Sequence, residues 1–96
     1  MVQLLKPTSM MQFVLVGSSV QERGIIGYGE LLDLAYNFSV IARTHGAVAC
    51  HLDDGSLIAT KGTLSVSLTI RETRESFPSR CLLNCLEEMM DRCFGQ

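Results

Sequence analysis

Three glycines fall within six residues in Arg23–Leu31, RGIIGYGEL, which makes phosphate cradling the first chemistry to test. A dinucleotide loop reads G-x-G-x-x-G and runs directly from a strand into a helix, so that backbone N–H groups and the helix N-terminus meet the pyrophosphate. Gly24, Gly27 and Gly29 reverse that spacing to G-x-x-G-x-G. No Gly-Lys-Ser/Thr follows, so the Walker form is absent too, and Glu30 at a helix start would repel a bound anion. The expectation is a Gly-containing loop over 17–29 and no cofactor.

His45, Cys50, His51, Asp53 and Asp54 are metal-ligand types close together in sequence. Neighbouring strand residues point to opposite faces, which keeps Cys50 and His51 from sharing an ion, and no C-x₂-C pair accompanies them. No metal is expected. Cys50 is assigned to the core, His51 to the open face of a sheet and both aspartates to a turn. For nucleophilic chemistry, Ser18 and Ser19 lack a G-x-S-x-G setting, and His45 falls on the apolar side of its helix. No catalytic residue is assigned, and an enzyme ranks below a binding protein. Cys81 and Cys85, one helical turn apart, are the pair for a redox role, with Arg80 and a helix N-terminus as the features that would lower a thiol pKa. The competing reading treats them as small hydrophobes beside a core.

Ten acidic and eight basic residues leave a formal charge of −2. Arg71 and Arg74 are the one close basic pair, and Glu72 and Glu75 answer them, so the basic stripe that phosphate backbones require is missing. The order helix, strand, strand, strand, helix over 30–94 matches a double-stranded RNA module, but the last helix has an acidic polar face and no lysine cluster. A nucleic-acid-binding module is therefore the third reading. No run reaches the roughly 18 apolar residues of a membrane helix. Lys6 and Pro7 precede the apolar run Met10–Val16, and no small-residue cleavage site follows it. The cysteine spacing suits reduced thiols, so a cytoplasmic protein is expected.

These residues must be positioned by a fold that 96 residues allow as one domain, 1–96, with a core of its own. MMQFVLV, residues 10–16, is apolar on both faces and reads as a central strand. From Glu30 the period becomes helical, with Leu31, Leu34, Ala35, Phe38, Ile41, Ala42 and His45 on one face and Gly46 as the stop. AVACHLDDGSLIAT holds two short strands around an Asp-Gly turn. TLSVSLTIRE alternates, with Leu64, Val66, Leu68 and Ile70 on one side and Ser65, Ser67 and Thr69 on the other. A second helix places Leu82, Leu83, Leu86, Met89, Met90, Cys93 and Phe94 on one face, with Ser76 or Ser79 as the cap. The predicted fold is α+β: a two-layer sandwich, β-α-β-β-β-α, with a mainly antiparallel four-stranded sheet and two helices on one face.

Hydrophobic residues make up 47% of the chain against 19% charged, more apolar surface than a monomer of this size easily hides. Leu32, Tyr36 and Val40 form a second apolar stripe on the first helix, with Arg43 at its rim. Either the loop 17–29, through Ile25, Ile26 and Tyr28, or a partner must cover it. The open sheet face is read as Ala47, Ala49, His51, Ser65, Ser67 and Thr69 with Val14 and Val16, small and nearly uncharged. The leading functional expectation is a small non-catalytic interaction or regulatory module that forms a homo-oligomer or joins a complex. The alternative is a cysteine-dependent redox-responsive protein or small enzyme.

Overall fold

The computed structural model describes residues 10–95, so Lys6 and Pro7 lie outside the described residues. The chain is α+β. Five strands, β1 (Met10–Val16), β2 (Gln21–Ile26), β3 (Val48–His51), β4 (Leu57–Lys61) and β5 (Leu64–Thr73), build one antiparallel sheet in the order β2-β1-β5-β4-β3. Helices α1 (Leu34–Thr44) and α2 (Leu82–Phe94) pack on one face of it, α1 nearest β3 and β4, α2 nearest β5.

The sheet has five strands rather than the expected four, because the expected loop 17–29 contains β2 and a 3₁₀ turn, Tyr28–Leu31. QERGII opens with three polar residues and contains a glycine, a composition poor in strand propensity. Pairing with β1 along its whole length, from Met11 opposite Ile26 to Val16 opposite Gln21, overrides that preference. Gly24 then explains itself. A Cβ there would lie 2.8 Å from the Phe13 ring, which is fully buried, so the glycine permits the ring to pass under the strand.

α1 begins at Leu34, later than Glu30, since the 3₁₀ turn occupies the approach. Its inward face is Leu34, Phe38, Ile41 and Ala42, as the periodicity predicts, while Ala35, expected with them at the margin of that face, is exposed; Gly46 ends the helix at φ 77°, where a side chain would be strained. α2 buries Leu82, Leu86, Met89, Met90 and Phe94, and also Cys85. No serine caps it. Cys81 takes the N-cap position without a side-chain bond, and the Leu82 N–H instead donates to Glu30 Oε2 at 3.4 Å, so a carboxylate from the 3₁₀ turn meets the positive end of α2.

The β3–β4 hairpin closes through a three-residue loop, Asp53-Asp54-Gly55. Gly55 N–H donates to the Leu52 carbonyl, Leu52 N–H donates to the Ser56 carbonyl at 2.8 Å, and Gly55 has φ 91°. Asp54 accepts from both the backbone and the hydroxyl of Ser56. β3, β4 and β5 form the expected antiparallel meander. The core lies between sheet and helices, centred on Phe13, Leu15, Phe38, Val66, Leu68, Leu86 and Met90.

Candidate interaction surface

α1 brings Tyr36, Val40 and Arg43 to the face opposite its buried side, and Leu32 lies just ahead of the helix. Leu32 stands 82% exposed and Tyr36 70%, while Val40 is half-buried and Arg43 is exposed. Arg43 bonds Ser39 Oγ at 3.3 Å, and no carboxylate among the described residues pairs with it within 4.0 Å. The strand part of 17–29, with Ile25 and Ile26, does not lie beside this stripe, whereas Gly29 adjoins it, its carbonyl accepting from the Leu32 N–H at 3.4 Å. β2 is the far edge strand, four positions across the sheet from β3, whereas α1 lies over β3 and β4.

The hairpin register decides the sheet faces. Residues opposite one another share a face, so Ile58 beside Ser67, Thr60 beside Ser65 and Val14 beside Thr69 put Ser65, Ser67, Thr69, Val14 and Val16 on the open side. Val48 and Cys50, opposite Thr60 and Ile58, join them there. His51 does not. It stands opposite the buried Leu57, on the helix side, and is itself exposed at the sheet rim. Ala47 is part of the core and Ala49 packs against it, so neither belongs to the open face. Cys50, expected in the core, is exposed. The physical reason is the period of two: a one-residue difference in register transfers a whole strand to the other face. The open face also carries Arg23 opposite Val14 and Arg71 opposite Gln12, with Arg71 Nε donating to Gln12 Oε1 at 3.2 Å, and is therefore not uncharged.

The two sheet edges differ. At β2, the Ile25 N–H donates to the Pro78 carbonyl at 3.1 Å and the Ile25 carbonyl accepts from Arg80 N–H, so the segment before α2 covers that edge. Arg80 fastens it by donating to Glu22 Oε1 at 2.6 Å. At β3, Leu52 and Ser56 form a hydrogen-bonded pair, and antiparallel pairs alternate. Cys50 and Val48 therefore direct their backbone groups to β4, while Ala49 and His51 direct theirs outward. Sequence reasoning missed this edge. Counting outward from a three-residue hairpin loop sets His51 against Leu57 and would have found it.

The remaining chemical candidates are separated. His45 is held by the Ile41 carbonyl at 2.9 Å and Asp91 Oδ1 at 2.7 Å, so both its ring nitrogens are engaged. Ser18 and Ser19 sit in the exposed β1–β2 turn. Cys81 is exposed, but Cys85 is buried, and burial pushes its thiol up despite the opposing pull of Arg80. That is the reverse of what a reactive pair requires. Among the described residues no group of three or more His, Cys, Asp or Glu side chains is placed to hold a metal ion. No helix among the described residues is long and apolar enough to cross a membrane. No protein-family model, curated protein or solved structure matches the chain.

Proposed function

We propose that this chain is a small non-catalytic interaction module of the cytoplasm, one that self-associates or joins a regulatory complex through the outer face of α1. The observation that carries the reading is the exposure of Tyr36 on α1 and of Leu32 just ahead of it, away from the buried Leu34, Phe38, Ile41 and Ala42, with β2 at the far edge of the sheet. Two large side chains at i and i+4, continued by Val40, make a stripe of the width that helix-in-groove and helix-on-helix contacts use. Arg43 gives it a charged rim, the usual anatomy of an interface. Four unpaired thiols suit a reducing compartment.

The test is molar mass by light scattering after size exclusion, under reducing conditions and over a dilution series. A dimer or larger species that Tyr36→Glu converts to monomer, with far-UV circular dichroism unchanged, supports the reading. A wild-type monomer at every concentration removes self-association, and a Tyr36→Glu variant that assembles normally removes the α1 stripe.

A further inference from the structure

Two cations from different elements hold the C-terminal end of α2, where positive charge is favoured. His45, the residue that ends α1, meets Asp91 Oδ1 through Nε2 at 2.7 Å, and Lys61, the last residue of β4, donates from Nζ to the Phe94 carbonyl at 3.3 Å. Of the two, only the imidazole changes charge near neutrality. We propose that His45 is a proton-operated latch on the last turn of α2: the imidazolium holds residues 91–95 against α1, and loss of its proton lets that turn fray while the rest of the molecule stays folded. The latch operates within the single chain, whether or not it self-associates.

The ring lies between two acceptors. Ile41 is in the last turn of α1, where carbonyls lose their intrahelical donors, and its oxygen takes the Thr44 hydroxyl at 2.7 Å and His45 Nδ1 at 2.9 Å. A ring that has lost one proton donates from one nitrogen alone. With the remaining proton on Nδ1, the Nε2 lone pair faces the Asp91 carboxylate, and the contact between the helices becomes repulsive. With it on Nε2, Nδ1 faces the Ile41 carbonyl lone pair to lone pair. The Thr44 hydroxyl, 3.3 Å from Nδ1, is placed to turn and donate to that nitrogen, at the expense of its own bond to Ile41, and the ion pair with Asp91 has become a hydrogen bond from a neutral donor. Either tautomer loosens the hold.

The surrounding charges set where the latch opens. On α2, Asp91 and Glu87 bear on the ring, while on α1 itself Arg43 turns to Ser39. On β4, Lys61 passes beside the neighbouring Gly46, its Cε 3.4 Å from where a Cβ would stand, and its charge opposes the imidazolium. On β3, the helix-side His51 lies at the end of the strand away from Ala47. The Ile41 carbonyl favours the proton most strongly, burial opposes it, and the two carboxylates add to the favourable side, so the ring titrates above 6.5. The latch is therefore closed below that value and opens as pH rises through the folded one. The side that moves is α2. The His45 side chain is 11% exposed and bonded within its own helix, whereas Asp91 is 66% exposed and returns to water at little cost. Helix ends open before the core of a fold, and Lys61, which stays charged, limits the opening to partial fraying.

A pH titration of the isotope-labelled full chain by NMR tests this. The ring nitrogens report protonation and tautomer, the Cα shifts of Arg92, Cys93 and Phe94 report helicity, and the backbone heteronuclear NOE reports fast motion. Between pH 6 and pH 8 the frayed fraction of the last turn should rise several-fold with the midpoint of the ring, while Phe13 and Leu68 stay unchanged. Asp91→Asn replaces an exposed carboxylate by a group that bonds a neutral ring, and should remove the pH dependence of the turn. Lys61→Met should loosen the turn alike at both pH values. A ring that titrates while the last turn stays helical overturns the latch, as does a ring that keeps one protonation state throughout. Fraying that keeps its pH dependence in Asp91→Asn, or that spreads evenly over the sheet, overturns it too.

Discussion

His45 joins α1 to α2 with both ring nitrogens. Its Nδ1 meets the Ile41 carbonyl and its Nε2 meets the Asp91 carboxylate, and since both partners only accept, both nitrogens must carry protons for both bonds to exist. The structure thus favours the imidazolium. The Ile41 carbonyl raises the His45 pKa above 6.5 most strongly; burial, the next largest effect, opposes it, and Asp91 and then the charge of Glu87 add to the rise. A raised folded value stabilises the protein fully below the unfolded value of 6.5, and the contribution is lost as pH rises through the folded value. The melting-temperature difference between wild type and Asp91→Asn should therefore be larger at pH 6 than at pH 8; an equal difference at both would contradict the clamp. Gly24 makes a second residue-scale prediction. Gly24→Ala removes unfolded-chain entropy worth about 0.4–1 kcal/mol, but drives a methyl into the fully buried Phe13 ring, and overpacking costs about 1–3 kcal/mol. The steric cost wins, and thermal unfolding should fall by several degrees.

Among the elements, β2 and the segment 74–80 depend on each other. β2 has little apolar content of its own, and its outer edge is closed by the chain running into α2. Arg80 ties the two through Glu22, an ion pair in which both side chains remain about a third exposed, so its worth is about 1 kcal/mol or less. Arg80→Ala should lower global stability by that modest amount, yet speed amide hydrogen exchange at Ile25 more than at Phe13 or Leu68. Uniform acceleration across the sheet would show that the segment is not a separate clasp. This is also where sequence patterning was least informative. β1, β5, α1 and α2 announce themselves by period, because each presents one or two apolar faces to a core. β2 is polar at one end and glycine-bearing at the other, and its strand identity comes from the neighbour it pairs with.

For the whole molecule, the association proposed through the α1 stripe would be coupled to stability. A partner that binds the folded chain and not the unfolded one raises the melting temperature with protein concentration. The wild-type melting temperature should climb over a hundredfold concentration range, and Tyr36→Glu should flatten that climb without lowering the value at the dilute end. Tyr36 is exposed in the isolated chain, so its replacement removes little internal packing. A concentration-independent wild type would contradict self-association. Leu32, Tyr36 and Val40 were legible in the sequence because a helix has one period and two apolar stripes cannot face one sheet. His51 was misplaced, and Cys50 with it, because VACH offers no alternation of large apolar and polar residues to fix its parity.

The sequence by itself determined the α+β class, both amphipathic helices, the β3–β4–β5 meander and the unburied stripe on α1, all properties of local period and turn chemistry. Tertiary structure alone decided that residues 21–26 are a strand, that β2 lies at the far edge from α1, which edge the chain covers, and which face Cys50 and His51 take. Those are matters of pairing between distant segments. Backbone hydrogen bonds are the same for every residue type, so strand order and register are settled only when the whole sheet closes over one core.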